Sequence, residues 1–208
     1  MYKSSLNPPS HGLEANMTVI VTAYWIQITG ASALAVKDLS SPSYDVGRES
    51  SDVYDDLDGI DAIRSLIRAH PSREMDNYVL DASKATPSVR TALVLPPIIY
   101  GKGEGPGNQR SIQIPSLSRV TLEKGHVVRA GKGLNRWGSI HVADIARVFT
   151  GLAVEASKDR QDEALWNDNG IYLTSAGEMV SHTAAWASCF FLMLTAFGYR
   201  PSRKSRTE

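Results

Sequence analysis

The segment Val89-Arg90-Thr91-Ala92-Leu93-Val94-Leu95 constrains the fold more than any other part of this sequence. It is a near-continuous apolar run, broken only by Arg90 and Thr91 near its start, and Pro96-Pro97 then cuts it off, because proline lacks the donor that a sheet ladder needs. A strand of this kind needs apolar cover on both faces, the condition of a parallel strand sandwiched between helices. Parallel neighbours are joined by crossovers, so the flanking sequence is expected to alternate strand and helix.

That alternation is present. The run from Met17 to Ile26 is rich in β-branched residues (Thr18, Val19, Ile20, Val21, Thr22) and reads as strand rather than signal peptide. Trp25-Ile26-Gln27-Ile28-Thr29 continues it to a turn at Gly30, and the polar stretch 38–52, with Pro42 and Gly47, reads as a loop. Val53, Leu57, Ile60, Ile63, Leu66 and Ile67 recur at helical spacing, predicting a helix over 53–70 that stops before Pro71, and a second helix is predicted over 74–84. Further on, a helix through Leu117 to Lys124 ends at Gly125, His126 to Arg129 reads as a short strand, and Val142 to Ala156 is strongly amphipathic. Ile171 to Thr174 reads as a strand, and Ser175 with Glu178 has the offset of a capping box that would open a last helix. The fold class is therefore α/β with a parallel sheet.

Composition removes several function classes. Lys and Arg total 22 and Asp and Glu total 22, so no cationic surplus exists to release counterions from a nucleic acid or hold an anionic membrane. One cysteine, Cys189, excludes an internal disulfide framework and a cysteine zinc cluster, and fits a reducing, cytoplasmic setting. The apolar stretch 184–199 is shorter than the roughly twenty residues a spanning helix needs. It is expected to be a core helix or the interface of a homodimer, followed by a basic tail, while residues 1–16 read as a flexible lead-in.

The local motifs argue mostly by exclusion. Thr29-Gly30-Ala31-Ser32 follows a strand but lacks the later glycines of a dinucleotide fingerprint. The loop Gly101 to Gly107 lacks the Gly-Lys-Ser/Thr ending of a phosphate loop and is read as a mobile loop over a site. Asp52, Asp55, Asp56, Asp58 and Asp61 surround Gly59, yet a calcium loop set in register on that glycine would begin at Tyr54 and end at Ser65, neither of them a ligand such a loop uses there. His141 and Asp144 stand three apart at a helix start, where capping is the expectation and no metal is assigned. No Gly-x-Ser-x-Gly elbow is present.

Two stretches, Leu95-Pro96-Pro97-Ile98-Ile99-Tyr100-Gly101 and Gly131-Lys132-Gly133-Leu134-Asn135-Arg136-Trp137-Gly138-Ser139-Ile140-His141-Val142-Ala143-Asp144, resemble signatures of the extended short-chain dehydrogenases, the NAD-dependent epimerase/dehydratase family. Gly105 to Gln113 and Leu165 to Tyr172 are similar to an atypical, largely fungal branch of it, and the resemblance runs over about residues 25–179. It implies a partial Rossmann-like sheet with a smaller C-terminal substrate domain. The expected division is 17–100 for the C-terminal part of the NAD(P)-binding domain, 101–180 for the substrate side, and 181–208 for the apolar helix and tail.

By resemblance, Thr29 stands where the family carries its catalytic serine, and Pro96, Pro97 and Tyr100 would face the nicotinamide. Asn108, Arg110, Arg136, Trp137 and His141 would bind substrate. The family's Tyr-x-x-x-Lys pair has no counterpart in His70-Pro71-Ser72-Arg73-Glu74, and Tyr78 with Lys84 is the nearest substitute, which makes Tyr78 the proton-donor candidate. The family's N-terminal glycine-rich phosphate turn also has no counterpart, so NAD(P) affinity is expected to be weak. Trp137 occupies the register of the arginine that grips nucleotide-sugar phosphates, which disfavours such substrates. The implied activity is NAD(P)-dependent oxidoreduction or epimerase-like chemistry on a small organic metabolite in fungal secondary metabolism. The alternative is a catalytically inactive small-molecule-binding relative.

Overall fold

The structure, a computed structural model, describes residues 21–129, 131–158, 162–176 and the backbone of 180–181. Its centre is a parallel sheet in the order β1 (Ala23–Ile28), β2 (Val89–Leu95), β6 (Ile171–Leu173). Ala23 pairs with Val89 and Ile28 with Val94, while Leu93 and Leu95 pair with Ile171 and Leu173. The apolar run is thus the middle strand, and its side chains divide by parity. Leu93 and Leu95 enter one core with Ile63, Ile67, Val79 and Leu80, and Ala92 and Val94 enter the other with Ile145, Leu152 and Trp166. Burying each such aliphatic side chain contributes about 1.5–3 kcal/mol, which is why the run tolerates no polar alternation.

The first core lies under α2 (Ile60–Arg68) and α3 (Glu74–Ala85) and is closed by Ala33 and Leu34 from the turn that leads into a short helix α1 (Val36–Leu39). The second lies under α5 (Val142–Ser157). Beyond β2 the chain forms β3 (Ile98–Tyr100), then α4 (Gln113–Lys124), β4 (Arg136–Trp137) and β5 (Ser139–His141). β3 pairs in parallel with β5, and β4 pairs antiparallel with β7 (Val180–Ser181).

Several sequence expectations need correction. The helix expected from Val53 begins at Ile60, and Val53 and Leu57 are 84% and 85% exposed. The acidic residues before it make turns instead: Asp55 Oδ1 accepts the Leu57 N–H, and Asp56 Oδ2 accepts the Leu173 N–H at 2.7 Å, capping the edge strand. These side chains compete with the helix for backbone groups, as Asp does at helix starts. Gly30 is followed by a 3-10 turn, Ala31–Ala35, leading into α1 rather than by loop alone. The first strand starts at Ala23, so Val21 and Thr22 lie outside it, and 17–20 fall outside the described residues. His126 to Arg129 forms no strand, because α4 ends on left-handed Gly125 (φ 70°) and the chain leaves without a partner strand. Ser175 and Ala176 open no helix: the Ala176 N–H is drawn to the Ser139 carbonyl at 2.9 Å, and Val180–Ser181 pairs as strand. The lead-in 1–16 and the apolar stretch 184–199 lie outside the described residues. Among the described residues no helix is long and apolar enough to cross a membrane.

Candidate active site at the carboxyl edge of the sheet

In open parallel sheets, ligands sit at the carboxyl ends of the strands, and β1 and β2 deliver two of the expected residues there. The Thr29 N–H donates to the Val94 carbonyl at 2.8 Å and the Ala31 N–H to the Pro96 carbonyl at 2.9 Å, so Thr29 and Pro96 lie side by side. Thr29 is half-buried. Its Oγ1 accepts a 2.8 Å hydrogen bond from Arg73 Nη2, and Arg73 Nε donates to Asp76 Oδ2 at 2.6 Å. Asp76 is 3% exposed, a buried carboxylate satisfied by the guanidinium at the start of α3. Burying a carboxylate this deep is costly unless such a partner is hydrogen-bonded to it.

Arg73 and Asp76 were not singled out from the sequence. Their spacing of three at the start of a predicted helix is a legible signal for the pair, but nothing local connects either to Thr29, 44 positions away.

The proton-donor candidate Tyr78 stands elsewhere. It is 64% exposed on α3, and its ring meets the Trp25 ring edge-on at 5.8 Å. Trp25 lies about 13 Å along β1 before Thr29 at ~3.3 Å per residue, and no hydrogen bond joins Tyr78 to Thr29 among the described residues. Lys84 is turned to Asp168, 3.5 Å from its Oδ1.

A second cluster forms at the ends of β3 and β5. The Tyr100 and His141 rings meet edge-on at 5.3 Å. His141 Nδ1 accepts the Ala143 N–H at 3.1 Å, capping α5 and leaving the proton of the neutral ring on Nε2. Capping, expected for His141, is thus what its side chain does. Gly101 is required beside it: φ is +101°, and a Cβ there would lie 2.4 Å from His141 Nε2.

An open cleft of about 550 Å³ borders this cluster, lined by Tyr100, Lys102, Asn108, Arg110, Ile114 and Pro115 among others. The glycine-rich loop is folded back on itself rather than free. Lys102 bridges Arg110, the Gly103 N–H donates to the Gln109 carbonyl at 2.8 Å, and Asn108 Oδ1 accepts the Arg110 N–H at 3.1 Å.

Arg136 and Trp137 form β4, both exposed, with Arg136 reaching Glu49 at 3.9 Å. Pro97 stands nearby, since a Cβ on Gly138 would come within 3.4 Å of the Pro97 Cβ. The glycine-rich segment before Arg136 docks on the loop after α1. Leu134 N–H donates to Gly47 O at 2.8 Å, and Lys132 Nζ sits 2.8 Å from Asp45 Oδ2, holding that carboxyl below its ordinary range.

The NAD(P) expectation can be tested on these residues. The edge formed by Thr29, Pro96 and Pro97 is where a nicotinamide ring would have to lie, while Tyr100 belongs to the cluster with His141. A pyrophosphate needs unspent backbone N–H groups at a helix start. After β1 the Ala31 N–H is taken by Pro96 and the Ala33 N–H by Gly30, and in the glycine loop the Gly103 N–H is taken by Gln109. These three N–H groups are therefore not offered to a phosphate. Among the described residues no group of three or more His, Cys, Asp or Glu side chains is placed to hold a metal.

No family model matches the chain. The chain is 30% identical over 164 residues to a curated protein named oxidase ucsJ, from Acremonium sp. That match covers 76% of this chain and 47% of the relative, so the chain spans about half the length of the curated relative it matches.

Proposed function

We propose that this chain is the nicotinamide- and substrate-facing part of an NAD(P)-dependent oxidoreductase of the extended short-chain dehydrogenase type, acting on a small organic metabolite in fungal metabolism. The observation that carries this reading is the Thr29 hydroxyl at the carboxyl end of β1, beside Pro96, fixed by a hydrogen bond it accepts from Arg73. With one of its lone pairs held by Arg73, its own hydrogen is directed away from the guanidinium and is available to a ligand, which suits a hydroxyl that must donate to a substrate oxygen. Similarity to a fungal protein named an oxidase supports the oxidoreductase class. When bound, the cofactor supplies hydride transfer. This chain's residues orient the substrate oxygen at Thr29 and form the wall against which the nicotinamide would lie.

The experiment is calorimetric titration of the purified chain with NADPH and NADH. With no phosphate-binding turn expected from the sequence, the Kd is expected at about 1 mM or weaker, and substitution Thr29→Ala is expected to change it by no more than about twofold while abolishing turnover of any substrate found. A second reading, a non-catalytic small-molecule-binding relative, is favoured by one observation: Tyr78, the phenol expected to act as proton donor, packs on Trp25 away from Thr29. Saturable binding of small carbonyl compounds with no heat from either cofactor would select it.

A further inference from the structure

The Arg73 guanidinium carries more than the hydrogen bond to Thr29. Its Nε–Nη2 edge is filled by Asp76 Oδ2, at 2.6 Å from Nε and 2.5 Å from Nη2. The outward N–H of Nη2 is taken by Thr29 Oγ1 at 2.8 Å. Among the described residues nothing accepts from Nη1. The Arg73 side chain is 19% exposed and Thr29 is half-buried, so the group is partly open at the sheet edge.

A guanidinium presents its two outward N–H bonds as parallel prongs, the arrangement that receives a carboxylate with both oxygens at once. Here Thr29 already occupies one prong. One oxygen position remains, on Nη1, and an oxygen placed there at about 2.9 Å also comes within hydrogen-bond reach of the Thr29 hydroxyl beside it. That hydroxyl has accepted from Arg73 and donates to nothing else among the described residues. Two donors thus converge on one acceptor. Asp76 meanwhile balances the cation, so the cluster has no net charge to attract an anion as such.

We infer that Arg73 is the second donor to the substrate oxygen held by Thr29, and that the pair accepts a single carbonyl or hydroxyl oxygen while rejecting carboxylates. Arg73 then touches substrate and is a catalytic residue in the reading proposed above, on which this inference rests. It takes the polarising part that a phenol would play, and Asp76 is the positioning residue that sets its plane. Thr29 has a double part: it donates to the oxygen and it blocks bidentate carboxylate binding.

The blocking role makes the test sharp. Acetophenone and benzoate have nearly the same shape and differ in offering one oxygen or two charged ones. Each is titrated into the full chain without cofactor, following the side-chain ¹⁵N–¹H signal of Arg73, with that of Arg68, which is paired with Asp81 on the surface, as internal control. Acetophenone is expected to move Arg73 and not Arg68, saturably and at least about tenfold more tightly than benzoate. Thr29→Ser keeps that preference within about twofold. Thr29→Ala frees the second prong, so benzoate is expected to gain about tenfold or more and the preference to invert. Should Thr29→Ala melt early, Thr29→Val, which removes the hydroxyl but keeps that prong covered by a methyl, is expected to lose acetophenone affinity without gaining any for benzoate.

Arg73→Lys, which keeps charge against Asp76 but has no fork, is read by ligand-detected saturation transfer and is expected to lose acetophenone binding. Absence of acetophenone binding, equal movement of Arg68, or an unchanged preference in Thr29→Ala each overturns the inference. Failure of NADPH and NADH to bind leaves these results standing and overturns only the cofactor reading.

Discussion

Asn167 Oδ1 accepts the backbone N–H of Thr91 at 3.0 Å, tying the segment before β6 to the middle strand of the sheet. Asn167 is in the left-handed region, φ 63°, which asparagine tolerates better than most residues. Gly170, three residues on, passes so near the strand that a Cβ there would lie 2.5 Å from the Thr91 carbonyl. The Trp-Asn-Asp-Asn-Gly stretch is therefore a strand clamp. Asn167→Ala leaves the N–H of Thr91, a residue 1% exposed, unsatisfied and puts alanine at positive φ, and is expected to cost about 2–4 kcal/mol. A thermal melt checks it, with a fall of several degrees expected for a chain of this size.

Gly101 and His141 are fitted to each other as closely. Gly101→Ala is expected to push the imidazole off the Ala143 N–H and disturb the ring contact with Tyr100, since its Cβ has no room beside His141 Nε2. A cost of about 1–3 kcal/mol follows from the strained φ and the lost cap. The His141 ring signals should shift in an NMR spectrum while the β1–β2 amides stay in place.

Alkaline pH tests the second core. Burial first, and then Asp162 and Asp56, push the Tyr172 phenol from 10.0 to about 12, and its hydroxyl donates to the Leu165 carbonyl at 2.6 Å. A group whose folded value is raised stabilises the fold below its unfolded value and loses that contribution as pH rises through the folded one. Stability is thus expected to fall between about pH 10 and about pH 12. Tyr54, pushed up by burial and by Asp52 and Asp38, adds a loss in the same direction. Tyr172→Phe should flatten most of the pH dependence at a neutral-pH cost of about 0.5–1.5 kcal/mol for the lost hydrogen bond.

The buried carboxylate gives the largest stability effect. Asp76→Ala leaves Arg73 partly buried without its counter-charge and is expected to cost about 3–5 kcal/mol. Asp76→Asn, which retains one acceptor, should cost less. Chemical denaturation of both variants checks the order, and equal stability of Asp76→Ala and the unaltered chain would contradict the pairing.

How much of this was legible in the sequence depends on where each signal sits. Val89 to Leu95 was readable to the residue because both of its faces are apolar, a pattern internal to seven positions. α5 was readable for the same reason, its stripe being continuous from Ile145 to Ala156. The start of α2 was not, because Val53 and Leu57 match the helical period by chance while the intervening aspartates bond to the backbone. The site divides in the same way. Thr29 and Pro96 follow directly on β1 and β2 and Tyr100 ends β3, at points marked by Gly30, Pro96-Pro97 and Gly101, so their placement follows from local punctuation. Arg73 does not, because its contact with Thr29 exists only once β1 and α3 have packed, and no local rule reports a hydrogen bond across 44 positions. Tyr78 was chosen as the one phenol on the right helix, but residue type on a helix does not say which turn reaches the sheet edge. Five residues, about 7.5 Å of helix rise, separate it from Arg73.

In the proposed function, the carboxyl edge formed by Thr29, Pro96 and Pro97 is where a nicotinamide would meet its substrate. Amide shift mapping with nicotinamide mononucleotide tests it most directly, because this half of the cofactor does not depend on the missing pyrophosphate donors. The account predicts saturable shifts grouped at Thr29, Gly30, Ala31 and Ile98. Shifts confined to the Lys102–Arg110 cleft, or none that saturate, would contradict it.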